Sequence, residues 1–200
     1  QWKPIDASGL TFGTNGFYQK YAATELADSF TDSANSVPYT ITATNATTVT
    51  GIKKIGTASY ESNLTGYLSV DDSSSLTLGS LTDSWTIEFW IYFDTFTGNF
   101  SVMDHRANAM ADGGFSFYTA TASGGLGFDS SNGTTWAGNL KDPDAPTTDT
   151  WYHYAIVQDG VGGSIVMYRD GTEVDSSTTL MCDTDPGTYV NWFIGGGYNW

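Results

Sequence analysis

Apolar and polar residues alternate along this chain with the period of a β-strand. The clearest run is Trp85 to Phe93, where Ile87, Phe89, Ile91 and Phe93 share one face and Glu88, Trp90 and Tyr92 the other. The aliphatic set belongs in a core, and the Glu/Trp/Tyr set belongs on a sheet face that a ligand can visit. Tyr39 to Val49 sets Tyr39, Ile41 and Ala43 against Thr40, Thr42 and Thr44, a half-buried strand. Trp151 to Gln158 is rich in aromatic and β-branched residues. A second strand from Ser164 then ends at Asp170-Gly171, a dipeptide that accepts φ > 0 and closes a two-residue hairpin into a third strand from Thr172. Further short strands are predicted at Phe17–Ala22, Lys53–Glu61, Gly66–Val70, Asn99–His105, Gly114–Thr121, Gly125–Asp129 and Thr134–Ala137, and another begins at Phe193. Leu76-Thr77-Leu78 leads into the Trp85 strand. Residues 24–36 and 141–149 read as loops. The one helical signal is a single turn over Ala107–Asp112. Many short strands with Gly and Asn turns predict an all-β, two-sheet antiparallel sandwich or jelly roll, without internal repeats.

Composition narrows the functional classes. The chain has 200 residues, 40% of them hydrophobic and 15% aromatic, enough to fill the core of one sandwich domain. Twenty-two acids face seven bases, a net charge of −15, so a nucleic-acid backbone or an anionic membrane would be repelled. No apolar run reaches membrane-spanning length. The lone Cys182 allows neither an intrachain disulfide nor a cysteine zinc site, and reads as a small apolar packing residue.

Several stretches carry a family resemblance. Trp151-Tyr152-His153-Tyr154-Ala155-Ile156-Val157, a Gly-rich turn, and Tyr168-Arg169-Asp170-Gly171-Thr172-Glu173-Val174 resemble the concanavalin A-like jelly-roll superfamily in its laminin G-like and pentraxin-like branch. Phe30-Thr31-Asp32-Ser33-Ala34-Asn35 resembles its DxSGN loop, with Ala34 in the usual Gly position. Ile55 through Val70 and Ser84 through Phe93 resemble two further strand motifs. The likeness covers about residues 15–200; residues 1–14, punctuated by Pro4, Gly9 and Gly13, read as an N-terminal entry arm. It also implies a closing C-terminal strand, so the native chain is expected to continue beyond Trp200. Thr11-Phe12-Gly13-Thr14-Asn15-Gly16-Phe17-Tyr18 is similar to the start of jelly-roll modules in virion proteins of marine tailed bacteriophages. That likeness implies a tail-fibre or capsid-decorating protein with homo-oligomeric contacts to other virion subunits.

Candidate chemistry is sparse. A laminarinase-type hydrolase of this fold would carry Glu-x-Asp-x-x-Glu on one strand, two carboxylates on one face for retaining hydrolysis. The nearest match, Glu173-Val174-Asp175-Ser176-Ser177-Thr178, ends in Thr and is explained as a hairpin arm. The other glutamates, Glu25, Glu61 and Glu88, offer no close pair, so no catalytic residue is assigned. His153 reads as a packed strand residue, and His105, between Asp104 and Arg106, as exposed. The resemblance implies Ca²⁺ as the realistic cofactor, with Asp32 and Asn35 as ligands and Asp71-Asp72 or Asp142-Pro143-Asp144 behind them. Turn capping explains the same residues. Glycan binding needs an aromatic platform with polar neighbours. Glu88, Trp90 and Tyr92 offer one, with Trp136, Tyr198 and Trp200 as alternatives near loops. Packing under a neighbouring segment or subunit explains those rings equally. Four Asn-x-Ser/Thr sequons, at Asn45, Asn63, Asn99 and Asn132, follow from a Ser/Thr-rich composition.

Three functions remain. The first is a non-enzymatic phage virion protein that binds its own subunits or host surface glycans. The second is a secreted or cell-surface carbohydrate-binding module, and the third a glycoside hydrolase. The Trp151–Val174 block explains itself as sheet and hairpin, scaffold and not site.

Overall fold

The computed structural model of the chain describes residues 30, 39–62, 65–71, 78–106, 114–120, 124–131, 136–181 and 191–196. Thirteen strands lie among them and no helix. β1 (Ile41–Thr44), β2 (Thr47–Val49), β3 (Ser59–Glu61) and β4 (Tyr67–Val70) come first. β5 (Trp85–Tyr92), β6 (Ser101–Arg106), β7 (Gly114–Thr119), β8 (Leu126–Ser131) and β9 (Trp136–Lys141) follow. β10 (Trp151–Asp159), β11 (Ser164–Arg169), β12 (Thr172–Ser177) and β13 (Trp192–Ile194) complete the order. A seven-stranded sheet runs β1-β4-β13-β6-β7-β8-β9, a four-stranded sheet runs β12-β11-β10-β5, and β2-β3 form a separate ribbon.

The two larger sheets share one core. Phe115, Phe117, Leu126, Phe128 and Leu140 from the seven-stranded sheet meet Ile87, Tyr154, Ile156, Ile165 and Met167 from the four-stranded one. Phe89 and Phe117 join the sheets edge to face, ring centres 5.0 Å apart. As the alternation predicts, Ile87, Phe89, Ile91 and Phe93 all pack into this core. The architecture is the two-sheet antiparallel all-β sandwich that the strand pattern predicts. β13 enters the seven-stranded sheet between β4 and β6, with Phe193 opposite Asp104 and Ser69.

Several elements depart from the sequence pattern. The run Tyr39–Val49 splits in two at Asn45, whose φ of 48° takes the chain out of the sheet. Asn tolerates that left-handed conformation well. Of Lys53–Glu61 only Ser59–Glu61 is strand. Residues 51–57 are exposed, with Gly56 at φ 74°, because no apolar face there earns burial. β9 reaches Lys141, past the predicted end at Ala137, its pairing with β8 interrupted by a register shift between Phe128 and Ser130, and Thr134 lies outside the described residues. His105 is buried, not exposed. It points into the core and stacks on Trp192, ring centres 4.9 Å apart, because its strand position alternates with outward Asp104 and Arg106. The predicted arm 1–14, the strand Phe17–Ala22, the turn Ala107–Asp112 and Cys182 lie outside the described residues.

Candidate functional site

Among the described strands β5 ends the four-stranded sheet, and β10 pairs with it residue by residue: Tyr92 opposite Trp151, Trp90 opposite His153, Glu88 opposite Ala155. Because side chains alternate, all six project from the face turned away from the core. Two cross-strand ring pairs result. Trp90 and His153 lie 5.2 Å apart and Tyr92 and Trp151 5.5 Å apart, both tilted. The four rings form one half-buried aromatic stripe along the β5–β10 pair. Ala155 follows as the small residue of the row, with Glu88 on one side and Tyr168 on the other.

Polar groups edge the stripe. Glu88, 55% exposed, approaches His153 Nε2 with Oε2 at 3.5 Å. The Tyr92 hydroxyl donates to Asp149 Oδ1 at 2.8 Å, and that bond, with the nearby carboxylate charges, raises the phenol pKa above its ordinary value. His153 is held from behind by the Asp170-Gly171 turn. Its N–H donates to Asp170 Oδ1 at 2.9 Å, and the Asp170 N–H donates back to the His153 carbonyl at 2.8 Å. Lys54, from the exposed segment joining β2 and β3, places Nζ 4.2 Å from the centre of the Trp90 ring. The stripe therefore offers ring faces, an open carboxylate and an ammonium within one patch.

Glu88, Trp90 and Tyr92 are thus brought together as the alternation predicts. Trp136 is not with them: it starts β9, at the far edge of the seven-stranded sheet, in register with Ser131. Tyr198, Trp200 and the proposed calcium ligands Asp32 and Asn35 lie outside the described residues. Asp142 and Asp144 do not suit calcium. Asp142 Oδ2 accepts the Tyr154 hydroxyl at 2.6 Å and Arg169 Nη1 at 2.7 Å, and Oδ1 accepts the Asp144 N–H at 3.0 Å. A guanidinium already supplies the positive charge there. Among the described residues no group of three His, Cys, Asp or Glu side chains is placed to hold a metal.

Sequence reasoning missed Trp151, His153 and Lys54 as partners in the stripe, because β-pairing and a loop bring them there from distant parts of the chain. It also missed two polar networks. On the outward face of the seven-stranded sheet, fully buried Asp104 takes Arg106 Nε at 2.9 Å on each oxygen and Ser116 Oγ at 3.4 Å. Beside it the Tyr118 hydroxyl donates to Asp129 Oδ2 at 2.8 Å, over a Gly127 that leaves room for the ring. The second network is the Tyr154–Asp142–Arg169 cluster. The i, i+2 spacing of Asp104 and Arg106 within a strand was the available signal for the first. Asp175, in the imperfect hydrolase motif, is a seam residue: its Oδ2 accepts the Lys141 N–H at 2.8 Å, tying β12 to β9 across the two sheets.

Comparison with known proteins agrees with this architecture. Residues 61–200 match the family described as the concanavalin A-like lectin/glucanases superfamily. No curated protein matches the chain. Among solved structures, domain 4 of AbnA, an extracellular arabinanase from Geobacillus stearothermophilus, in complex with arabinotriose, superposes with a TM-score of 0.64. It is 17% identical, over 92% of this chain and 85% of that one. The structure described as HCR/D-Sa-GBL1/C gives a TM-score of 0.54 at 12% identity, over 82% of this chain and 40% of that one. At these identities the likenesses establish the fold alone. The family match over residues 61–200 makes the chain a member of the concanavalin A-like lectin/glucanase superfamily.

Proposed function

We propose that the chain is a non-catalytic carbohydrate-binding module whose site is the stripe Trp90/His153 and Tyr92/Trp151 with Glu88 and Asp149. The observation that carries this reading is the pair of cross-strand ring contacts on the outward face of β5 and β10, fringed by an open carboxylate. Sugar rings present C–H faces to aromatic side chains and hydroxyls to carboxylates and amides. The arabinotriose-bound arabinanase domain of the same fold puts arabinan first among ligands to try. The virion role draws no support from these relatives. A non-catalytic role suits the stripe because the partner of Glu88 is His153 and not a second carboxylate.

Calorimetric titration of the purified domain with oligosaccharides of arabinan, xylan and β-glucan tests the reading. Binding by at least one is expected, with Trp90→Ala and Tyr92→Ala each weakening it about tenfold, the loss of roughly 1.4 kcal/mol of stacking. Each substitution also removes a cross-strand ring contact, so far-UV circular dichroism of the variants should confirm that the fold is kept before their affinities are compared. Unchanged affinity in both variants would place the site elsewhere. Absence of any binding, with stable homo-oligomers that Trp90→Ala dissociates, would turn the stripe into a subunit interface.

A further inference from the structure

Trp90 already carries a cation. Lys54 Nζ sits 4.2 Å from its ring centre, on a segment whose residues 51–57 are all exposed. The two arginines among the described residues are committed to buried carboxylates, Arg106 to Asp104 and Arg169 to Asp142. Lys53 Nζ donates to the Thr50 carbonyl at 2.7 Å. Lys54 instead lies on an aromatic face, where the negative ring surface attracts an ammonium.

The setting around that ammonium is anionic. Glu88 leaves the same strand face two residues from Trp90, about 7 Å along the strand. Asp149 holds Tyr92, and the Asp94 charge also reaches that phenol. The whole chain carries −15, a field that draws cationic partners and repels anionic ones. A neutral sugar needs none of this charge, and an anionic one would meet repulsion from Glu88 and the net charge.

We propose that the stripe takes a cationic saccharide, a polymer of amino sugars bearing free amines. Its ammonium displaces Lys54 from the Trp90 face and lies beside Glu88. The proposal rests on the carbohydrate-binding reading and names its ligand class. Lys54 is the resident stand-in, tethered to the chain, that keeps the ring covered until a ligand arrives.

The test compares glucosamine oligosaccharides with their fully N-acetylated counterparts and with neutral arabinan oligosaccharides, by calorimetry at low and high salt. The amine form should bind at least several-fold more tightly than either, and added salt should weaken it alone. Lys54→Met, which keeps the stem and drops the charge, should tighten amine binding several-fold by removing the competitor. Glu88→Gln should weaken amine binding several-fold and by more than it weakens any binding of the acetylated sugar, because only the amine form loses a charge partner. If acetylated or neutral sugars bind as well as the amine form through Trp90, or if Lys54→Met weakens binding, the cationic ligand class is overturned while carbohydrate binding stands. If no saccharide binds at all, both fall.

Discussion

Two glycines show how single backbone positions are constrained for different reasons. Gly171 follows Asp170 in the β11–β12 hairpin, with φ values of 51° at Asp170 and 78° at Gly171. Both positive angles are what a two-residue turn needs to match the strand twist. A Cβ at Gly171 would meet nothing within 4 Å, so the conformation is the whole constraint. Gly124, at φ 127°, is different. A Cβ there would lie 2.3 Å from the Pro143 carbonyl oxygen and 2.7 Å from that of Asp142, both backbone atoms that cannot swing aside. Gly171→Ala should therefore lower stability by about 1–2 kcal/mol, the cost of a left-handed L-residue. Gly124→Ala should cost above about 3 kcal/mol, because strain adds to a clash that pries two loops apart. Urea unfolding of the two variants checks the order. Equal losses would mean that the loops containing Gly124 and Asp142 yield easily.

Those loops are held by an element-scale clamp. Asp142, just after β9, is buried and receives Tyr154 from β10 and Arg169 from β11, and Arg169 also donates to the Asp144 carbonyl at 2.9 Å. Two strands of one sheet thereby grip the strand end of the other. Burial, then the Asp142 carboxylate, push the Tyr154 phenol well above its ordinary pKa. Asp142→Ala leaves a guanidinium without its buried counter-charge, and should cost about 3–5 kcal/mol. Tyr154→Phe, which deletes one hydrogen bond and keeps the ring, should cost about 1 kcal/mol. Denaturant midpoints at unchanged m-value would confirm both, and a loss at Asp142→Ala no larger than at Tyr154→Phe would show that Arg169 finds water instead. The clamp also marks the reach of sequence reading. β5, β10 and the Asp170-Gly171 hairpin are legible because alternation and a turn dipeptide are local signals. The break at Asn45, the non-strand course of residues 51–57 and the extension of β9 to Lys141 are settled by pairing with other strands, to which a window of neighbours is blind. The site divides the same way. Glu88, Trp90 and Tyr92 share one strand and could be read. Trp151 and His153 looked like scaffold until the β5–β10 register set them alongside, and Lys54 arrives from a loop with no periodic signal.

At the scale of the molecule, an acidic sandwich with protonated tyrosines in confined places has a definite response to alkali. Burial raises the Tyr60 pKa to about 12, against a smaller opposing effect of Ser62. Burial, and next the Asp129 hydrogen bond and charge, raise that of Tyr118 further. Tyr154 behaves likewise beside Asp142. In the unfolded chain all three lose their protons near the ordinary pKa of about 10. Below that pH both states hold the protons and the stabilisation is complete. Above it the unfolded state is deprotonated while the fold still binds protons, so unfolding releases protons and stability falls as pH rises. The share from Tyr60 is exhausted by about pH 12, and Tyr118 and Tyr154 keep drawing stability down beyond it. Each tyrosinate also adds to a net charge already at −15, so self-repulsion works in the same direction. Melting temperature should thus be flat from neutral pH to about 10 and drop steeply above, with cooperative unfolding preceding the tyrosinate absorbance of the buried rings. Tyr118→Phe should make the alkaline slope shallower, since one proton fewer is released. An alkaline slope in Tyr118→Phe as steep as in the parent would show that Tyr118 titrates alike in both states, leaving self-repulsion and the other two tyrosines to drive the fall.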